Sequence, residues 1–225
     1  MPLVDSNDPA TWDGGPNSLY RTDLDGVIHG FDREAGLRYY GADFDGLVNA
    51  LKPYGFLPGQ RIVMVGCAFG WSLERLDILG YGPVMNGYIT TRLVGTDTST
   101  WIHANKTGNS NVGFLNADIN TKAGRSEIQR AFQDERVTID WAISEDILPI
   151  LSDEEAEELG ISMGRLAHNV AHWITVGTRR FDDPLAWAGD PRLNWKTLEG
   201  WRNVMSPADI LVKRGTSETI WRPSS

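Results

Sequence analysis

The stretch Arg61-Ile-Val-Met-Val-Gly-Cys-Ala-Phe-Gly70, followed at the end of a later apolar run by Leu93-Val-Gly-Thr-Asp97, decides how this chain is read. Ile62 to Val65 is short, apolar and uncharged, as a central parallel strand should be. Gly66, Ala68 and Gly70 leave room for the backbone to approach a ligand, and glycine tolerates positive φ. From Trp71 the pattern turns helical. Leu73, Leu76 and Leu79 share one stripe, Glu74, Arg75 and Asp77 another, and Gly80 is a stop signal. A second strand then ends on the carboxylate of Asp97. Strand, small-residue turn, helix and acid-ended strand, in that order, are how an α/β sheet holds an adenosine-containing cofactor.

The spacing of the small residues separates two cofactor classes. A dinucleotide fingerprint requires G-x-G-x-x-G so that a pyrophosphate can sit on the helix N-terminus. Here Trp71 stands at the third glycine position, and its indole disfavours a nicotinamide or flavin dinucleotide. The remaining pattern, G-x-A-x-G after a strand, resembles the first motif of class I S-adenosylmethionine-dependent methyltransferases, commonly V-G-C-G-x-G. Asp97 matches that family's acidic residue at the end of the second strand, which accepts both ribose hydroxyls. Asn116-Ala117-Asp118 resembles the third-strand motif whose acid lies near the adenine amine, and Ile139 to Pro149 resembles the fourth-strand motif. The resemblance spans roughly residues 35 to 222, and the order of the motifs carries it.

This likeness implies a Rossmann-like α/β fold with a mostly parallel seven-stranded sheet, order 3-2-1-4-5-7-6, and helices on both faces. It implies S-adenosylmethionine as cofactor, bound by Gly66, Cys67, Ala68, Gly70, Asp97, Asp118 and Ser144. Glu145 and Asp146, at the end of the fourth strand, are the catalytic candidates on the substrate side. The chain departs from the family at Met64, where an acid is usual, and at Ala68, which replaces the middle glycine and fits the turn only with negative φ. The gap from Gly70 to Asp97 is long, with Gly80 to Tyr88 inserted.

Each of these residues also has a structural reading. The glycines suit any tight strand-to-helix turn, Asp97 can cap a helix, and Glu145 and Asp146 can serve a helix dipole or a solvated loop. Trp71 and Trp101 flank the expected pocket, yet among nine tryptophans core packing serves equally well. Arg38 and Tyr40 could close over the cofactor or start a packed helix. His168 and His172 have i, i+4 spacing that could hold a metal on a helix, but no third ligand lies nearby, and we expect no metal.

Beyond the motifs, Phe44, Leu47, Val48 and Leu51 predict a helix over about 43–53. Ser126 to Gln129 and Ser152 to Glu155 have capping-box spacing and mark helix starts. Residues 172–177 read as the fifth strand, and Trp195, Leu198, Trp201 and Met205 as a helix stripe. Residues 209–213 and 218–222 read as a closing antiparallel pair. Residues 1–30 form an irregular arm rich in Asp, Pro and Gly, ahead of a single domain over 31–225.

With 225 residues, 41% hydrophobic and 23% charged, the chain can bury a core of ordinary globular composition. No apolar run reaches the ~20 residues of a membrane span, and the first residues lack the charged and apolar regions of a signal peptide. A cytoplasmic location is expected, in the host cytoplasm or the virion if the protein is phage-encoded. The single cysteine, Cys67, excludes an intrachain disulfide. A net charge of −9 argues against bulk nucleic-acid binding, which needs clustered Lys and Arg. The motif Asp/Asn-Pro-Pro-Tyr of amino-methylating DNA enzymes is absent. The expected activity is therefore methyl transfer to a small molecule or a protein, with the oligomeric state open. The alternative is a catalytically degenerate, methyltransferase-like structural or assembly protein of a phage, which Met64 and Ala68 favour.

Overall fold

The computed structural model describes residues 44–68, 70–82, 93–105, 112–132, 138–174, 176, 194 and 196–214. Helix α1 (residues 44–51) runs into a single 3-10 turn, Lys52–Tyr54. Then follow β1 (Ile62–Val65), α2 (Trp71–Ile78), β2 (Leu93–Thr96), α3 (Thr100–Asn105), β3 (Gly113–Leu115) and α4 (Lys122–Ala131). The chain continues through β4 (Ile139–Glu145), α5 (Asp153–Gly164), β5 (Ala167–Ile174), α6 (Leu198–Arg202) and β6 (Ile210–Lys213).

The strands form one sheet in the order β3-β2-β1-β4-β5-β6, and every pairing is parallel. Chain order reverses between β1 and β4, where Met64 faces Ile143 and Val65 faces Ser144 in register. At the opposite end of this seam the amide of Arg61 donates to the carboxylate of Asp140 at 2.7 Å, across 79 positions of sequence. A crevice opens outside the C-terminal ends of the strands at such a reversal, and ligands of open α/β sheets bind there.

Residues of alternate parity point to opposite faces of the sheet, so one strand feeds two cores. Ile62 and Met64 of β1, with Trp141, Ile143 and Trp173, pack against Phe44, Leu47 and Leu51 of α1 and Leu73 and Leu76 of α2. Val63 and Val65, with Val94, Ala142 and Val170, pack against Ile128 of α4, Leu159 and Met163 of α5 and Trp201 of α6. Fully burying each such Leu, Ile or Val contributes roughly 1.5–3 kcal/mol, which is why β1, β2 and β4 read as almost unbroken apolar runs.

Local signals explain most helix ends. Gly80 takes φ +85° and lets Tyr81 N–H return to the Leu76 carbonyl at 2.9 Å, closing α2 where the sequence placed its stop. Ser152 and Glu155 form the expected capping box at α5. The start of α4 differs. Its cap is Thr121, whose hydroxyl accepts from Gly124 N–H at 3.0 Å, and Ser126 lies inside the helix.

The sheet differs from expectation at one edge. The fifth strand begins at Ala167, because pairing with β4 carries His168 and Asn169 into the ladder although their polarity breaks the apolar pattern. The sixth strand lies directly beside the fifth, with Ala171 opposite Ile210 and Ile174 opposite Lys213, where the expected order interposed a seventh. Ile210, Leu211 and Val212 are all buried, which suits parallel pairing inside two helical layers. Residues 218–222, the arm over 1–30, Arg38, Tyr40, Trp195 and most of the Gly80 to Tyr88 insertion lie outside the described residues.

Candidate cofactor and active site

The first wall of the crevice is the turn after β1. Gly66, Ala68 and Gly70 have φ of +69°, +44° and +83°, so every second residue is left-handed. Ala68 therefore does not keep the negative φ that alanine prefers. Its amide donates to Asp97 Oδ2 at 3.2 Å, and that contact holds the backbone in the conformation a middle glycine would adopt without strain. Three further amides of the turn are engaged within the protein. Gly66 and Cys67 N–H reach the Thr96 carbonyl at 2.9 and 3.3 Å, and Gly70 N–H reaches the Cys67 carbonyl at 2.8 Å. Among the described residues of the turn, the amides are thus not the cradle of free donors that a pyrophosphate needs.

The glycines have packing reasons as well. A Cβ on Gly70 would overlap the Phe114 ring of β3, and one on Gly66 would crowd the Ile147 side chain beyond β4. Cys67 is buried, and its Sγ lies where a Cβ on Gly95 would have to go, next to Leu73 of α2. Gly95 thus lets α2 settle closely on β2, a role its place inside an apolar strand could have signalled. Met64, where the family places an acid, is fully buried between Gly95 and Ile143. No carboxylate belongs there, because the position faces the α1–α2 core.

Asp97 forms the second wall, at the end of β2. Besides Ala68 it accepts from Ser99 N–H on Oδ1 at 2.8 Å. Burial raises its carboxyl above the ordinary value, and the amides of Ser99 and Ala68 pull it back. One backbone donor per oxygen leaves each oxygen a further lone pair, so the carboxylate can hold its own loop and still accept two hydroxyls. Asp97 ties the start of the following helix through Ser99 and contacts the glycine turn through Ala68.

The segment after β3 closes beside it. The Asn116 side-chain amide donates to the Asp97 carbonyl at 3.2 Å, and Thr96 Oγ1 donates to the Ala117 carbonyl at 2.6 Å. Asp118 follows, exposed, with Oδ1 accepting from Asn120 N–H at 2.9 Å in the turn before α4. Gly124 permits this, since a Cβ there would strike the Asp118 carbonyl.

The end of β4 supplies the third wall. Ser72, on the first turn of α2, donates to Glu145 Oε1. Burial pushes the Glu145 carboxyl up to about 7, helped slightly by Asp146 and opposed by the Arg214 charge and the Ser72 hydroxyl. Asp146 is left-handed at φ +49°, and its Oδ2 meets Arg214 Nη1 at 3.4 Å. Arg214, just past β6, stacks on Trp173 of β5 with 4.6 Å to the ring centroid. Ala68 and Asp146 are the two non-glycine residues of positive φ among those described, and both lie at the crevice, where such strain tends to gather.

Ser144 is not brought to this crevice. Its hydroxyl lies 2.7 Å from His172 Nδ1 on the other face of the sheet, and His172 Nε2 lies 3.4 Å from Asp209 Oδ2. All three residues are buried beneath α5, where a Cβ on Gly160 would press on Met205 and Asp209. His168 is exposed at the far end of the same strand, roughly 13 Å from His172 by strand rise, so the pair is no metal site. Among the described residues no cluster of three or more His, Cys, Asp or Glu could hold a metal ion. Trp71 is core, 2% exposed, rather than a stacking platform, and the Trp101 side chain lies outside the described residues.

Ser72 and Arg214 were not picked out from the sequence. Ser72 shares the stripe of Leu76 and Leu79 on α2, and a hydroxyl on an otherwise apolar stripe is a legible request for a buried partner. Arg214 carries no comparable signal.

No family model matches the chain, and no curated protein matches its sequence. Among solved structures it is similar to magnesium protoporphyrin IX methyltransferase from Synechocystis PCC 6803 with S-adenosylmethionine bound. That likeness has 16% identity, covers 89% of this chain and 84% of that one, and has a TM-score of 0.52. It is also similar to a phosphoethanolamine N-methyltransferase from Haemonchus contortus, in complex with phosphomonomethylethanolamine and S-adenosylhomocysteine. There the identity is 16% over 89% of this chain, with a TM-score of 0.50, and the chain spans 43% of the nematode enzyme. No helix among the described residues is long and apolar enough to cross a membrane. The six-stranded parallel sheet, its reversal between β1 and β4 and these likenesses agree: the chain has the Rossmann-like fold of the class I S-adenosylmethionine-dependent methyltransferases.

Proposed function

We propose that the protein is an S-adenosylmethionine-dependent methyltransferase whose acceptor is a small molecule or a protein. The observation that carries this reading is the contact of Asp97 with Ala68. It places a carboxylate with spare acceptor capacity across a turn in which the amides of Gly66, Cys67, Ala68 and Gly70 are already used, as suits a nucleoside without phosphates. Both solved structures named above contain S-adenosylmethionine or its demethylated product, which supports the same cofactor here.

In this reading Asp97 accepts the ribose hydroxyls, Asp118 lies on the adenine side, and the backbone of Gly66, Cys67, Ala68 and Gly70 borders the methionine end. The bound cofactor supplies a strongly electrophilic methyl group. What remains for the protein is to align a nucleophile and take its proton. Glu145 is suited to that second task, since a carboxyl near 7 is half-ionised at neutral pH and can both accept and release a proton. Asp146 and Arg214 border the acceptor side.

A second reading, a methyltransferase-like structural module of a phage, is favoured by the sealed position of Met64, which leaves the crevice without the acid usual at that strand end. One titration separates the two. S-adenosylhomocysteine should bind saturably in calorimetry and raise the melting temperature, whereas NAD should do neither. No heat and no thermal shift at millimolar S-adenosylhomocysteine would overturn the enzyme reading and leave the module.

A further inference from the structure

We infer that Glu145 determines which charge state of the cofactor the site prefers: its ionised carboxylate favours the sulfonium of S-adenosylmethionine over the neutral thioether of S-adenosylhomocysteine, and protonating it erases that preference. This rests on the methyltransferase reading of the same site and adds what retains the cofactor and lets its product go.

The geometry brackets the glycine turn from both ends. Val65 and Ser144 pair in register, so Gly66, the first residue of the turn, and Glu145 come next on adjoining strands. Past Glu145 the chain stays against the turn, because a Cβ on Gly66 would lie 2.9 Å from Cδ1 of Ile147. At the other end Gly70 caps α2, and Ser72 on the first turn of that helix donates to Glu145 Oε1. Ser72 is 1% exposed, so this bond is shielded from water. Among the described residues no hydrogen bond engages Oε2. Glu145 thus spans from Gly66 to the start of α2, alongside the backbone assigned above to the methionine end, with one oxygen anchored and the other open.

The two ligands differ by one methyl group and one positive charge, and that difference isolates Glu145. The groups that act on its carboxyl are Ser72 of α2, Arg214 past β6 and the neighbouring Asp146. Trp173, opposite it on β5, carries no charge. The turn and the end of β2 bring Cys67 and Asp97, α2 brings the buried Glu74, and Asp45 of α1 is paired with Arg75 of α2. All of these are present with either ligand. They set where Glu145 titrates and cancel when the two ligands are compared. A cation near a carboxyl lowers its proton affinity, and by linkage the ionised carboxylate raises the affinity for that cation by the same factor. Salt screens exposed charges over about 10 Å, and buried ones less, so the effect does not need direct contact. The neutral thioether gains nothing from the same carboxylate. Burial holds the Glu145 carboxyl at about 7, so both of its states are populated at neutral pH.

The test is a binding measurement and needs no turnover. Dissociation constants of S-adenosylmethionine and S-adenosylhomocysteine are measured by calorimetry on the wild-type chain and on Glu145→Gln. The ratio of the product's constant to the cofactor's should rise at least about fivefold in wild type between about pH 5.5 and about pH 7.5, as Glu145 ionises. Glu145→Gln stays neutral and carries only the pH dependence of the ligands' own groups, so the rise should vanish in it. Ser72→Ala gives a second reading that does not depend on the Gln variant folding. Without the hydroxyl that favours the ionised form, the rise should move to higher pH by about one pH unit. A wild-type ratio that stays flat, a rise that persists in Glu145→Gln, or a curve that Ser72→Ala leaves in place would overturn the assignment. Failure of both ligands to bind at millimolar concentration would overturn the cofactor reading and this inference with it. Binding of both with a flat ratio would overturn this inference alone.

Discussion

Asp97 Oδ2 accepts the backbone amide of Ala68 at 3.2 Å, so the end of β2 holds the turn after β1 in shape from 29 positions away. Replacing Asp97 with Ala should weaken S-adenosylhomocysteine binding by about 2–3 kcal/mol, the scale of lost charge-assisted hydrogen bonds. Calorimetry on a variant shown by circular dichroism to be folded checks this. Unchanged affinity would remove Asp97 from the ribose site and leave it a loop anchor.

Ala68 is left-handed at φ +44°, a conformation that costs an L-residue roughly 1–2 kcal/mol. Ala68→Gly removes that strain but adds freedom to the unfolded chain, so a net gain of about 0.5–1 kcal/mol is expected in urea unfolding. A loss of stability would mean that the alanine methyl packs better than its backbone angle costs.

Gly70 combines φ +83° with a Cβ direction that runs into the Phe114 ring. Gly70→Ala should therefore destabilise the fold by more than about 2 kcal/mol, even though alanine is small. Phe114→Ala should recover part of that loss in the double variant, and a coupling energy near zero in the cycle would show that Phe114 is not the obstacle.

Met64→Asp would place an unpaired carboxylate in the core between β2 and β4, at a cost of several kcal/mol. The variant should fail to fold cooperatively. Met64→Leu should cost less than about 1.5 kcal/mol and leave S-adenosylhomocysteine affinity unchanged. A well-folded Asp variant with tighter binding would place this residue at the crevice after all.

Glu145 gives stability a pH dependence of definite sign. Its folded value of about 7 exceeds the ordinary 4.5, so between these values the folded state binds more protons than the unfolded one. Stability from this group is fully present below about 4.5 and is lost as pH rises through about 7. The full swing is on the order of 3 kcal/mol. Glu145→Gln should flatten the decline in unfolding free energy over that window, and an undiminished slope would locate the titrating group elsewhere.

How far the sequence reaches is clear from particular residues. Ile62 to Gly70 and Leu93 to Asp97 predicted two strands and a turn correctly, because a buried parallel strand leaves an unbroken apolar run and a left-handed turn leaves small residues. The place of Asp97 at the end of β2 was legible because the apolar run from Leu93 stops at it. Ser144 was misplaced for a different reason. Parity along β4 puts Glu145 and Ser144 on opposite faces, and only the packing of α5 shows which face is sealed. Thr121 went unremarked because Gly124, not Glu or Gln, stands three residues after it, whereas Ser126 has Gln129 at that spacing. The relay from Ser144 through His172 to Asp209 joins three segments spread over 65 positions, beyond the reach of any local pattern.

The pairing of β1 with β4 also sets a schedule for synthesis. Strands β1, β2 and β3 pair among themselves, so the glycine turn and Asp97 can meet while the second half of the chain is still being made. The other edge of β1 must wait. At 5–20 residues per second, the 79 positions from Arg61 to Asp140 take roughly 4 to 16 s to emerge. Throughout that interval Ile62, Val63 and Val65 present an unpaired apolar edge that another nascent chain could join. The nucleoside half of the crevice is thus the early product of translation, and β4, which brings Glu145, is also the strand that ends the period of risk.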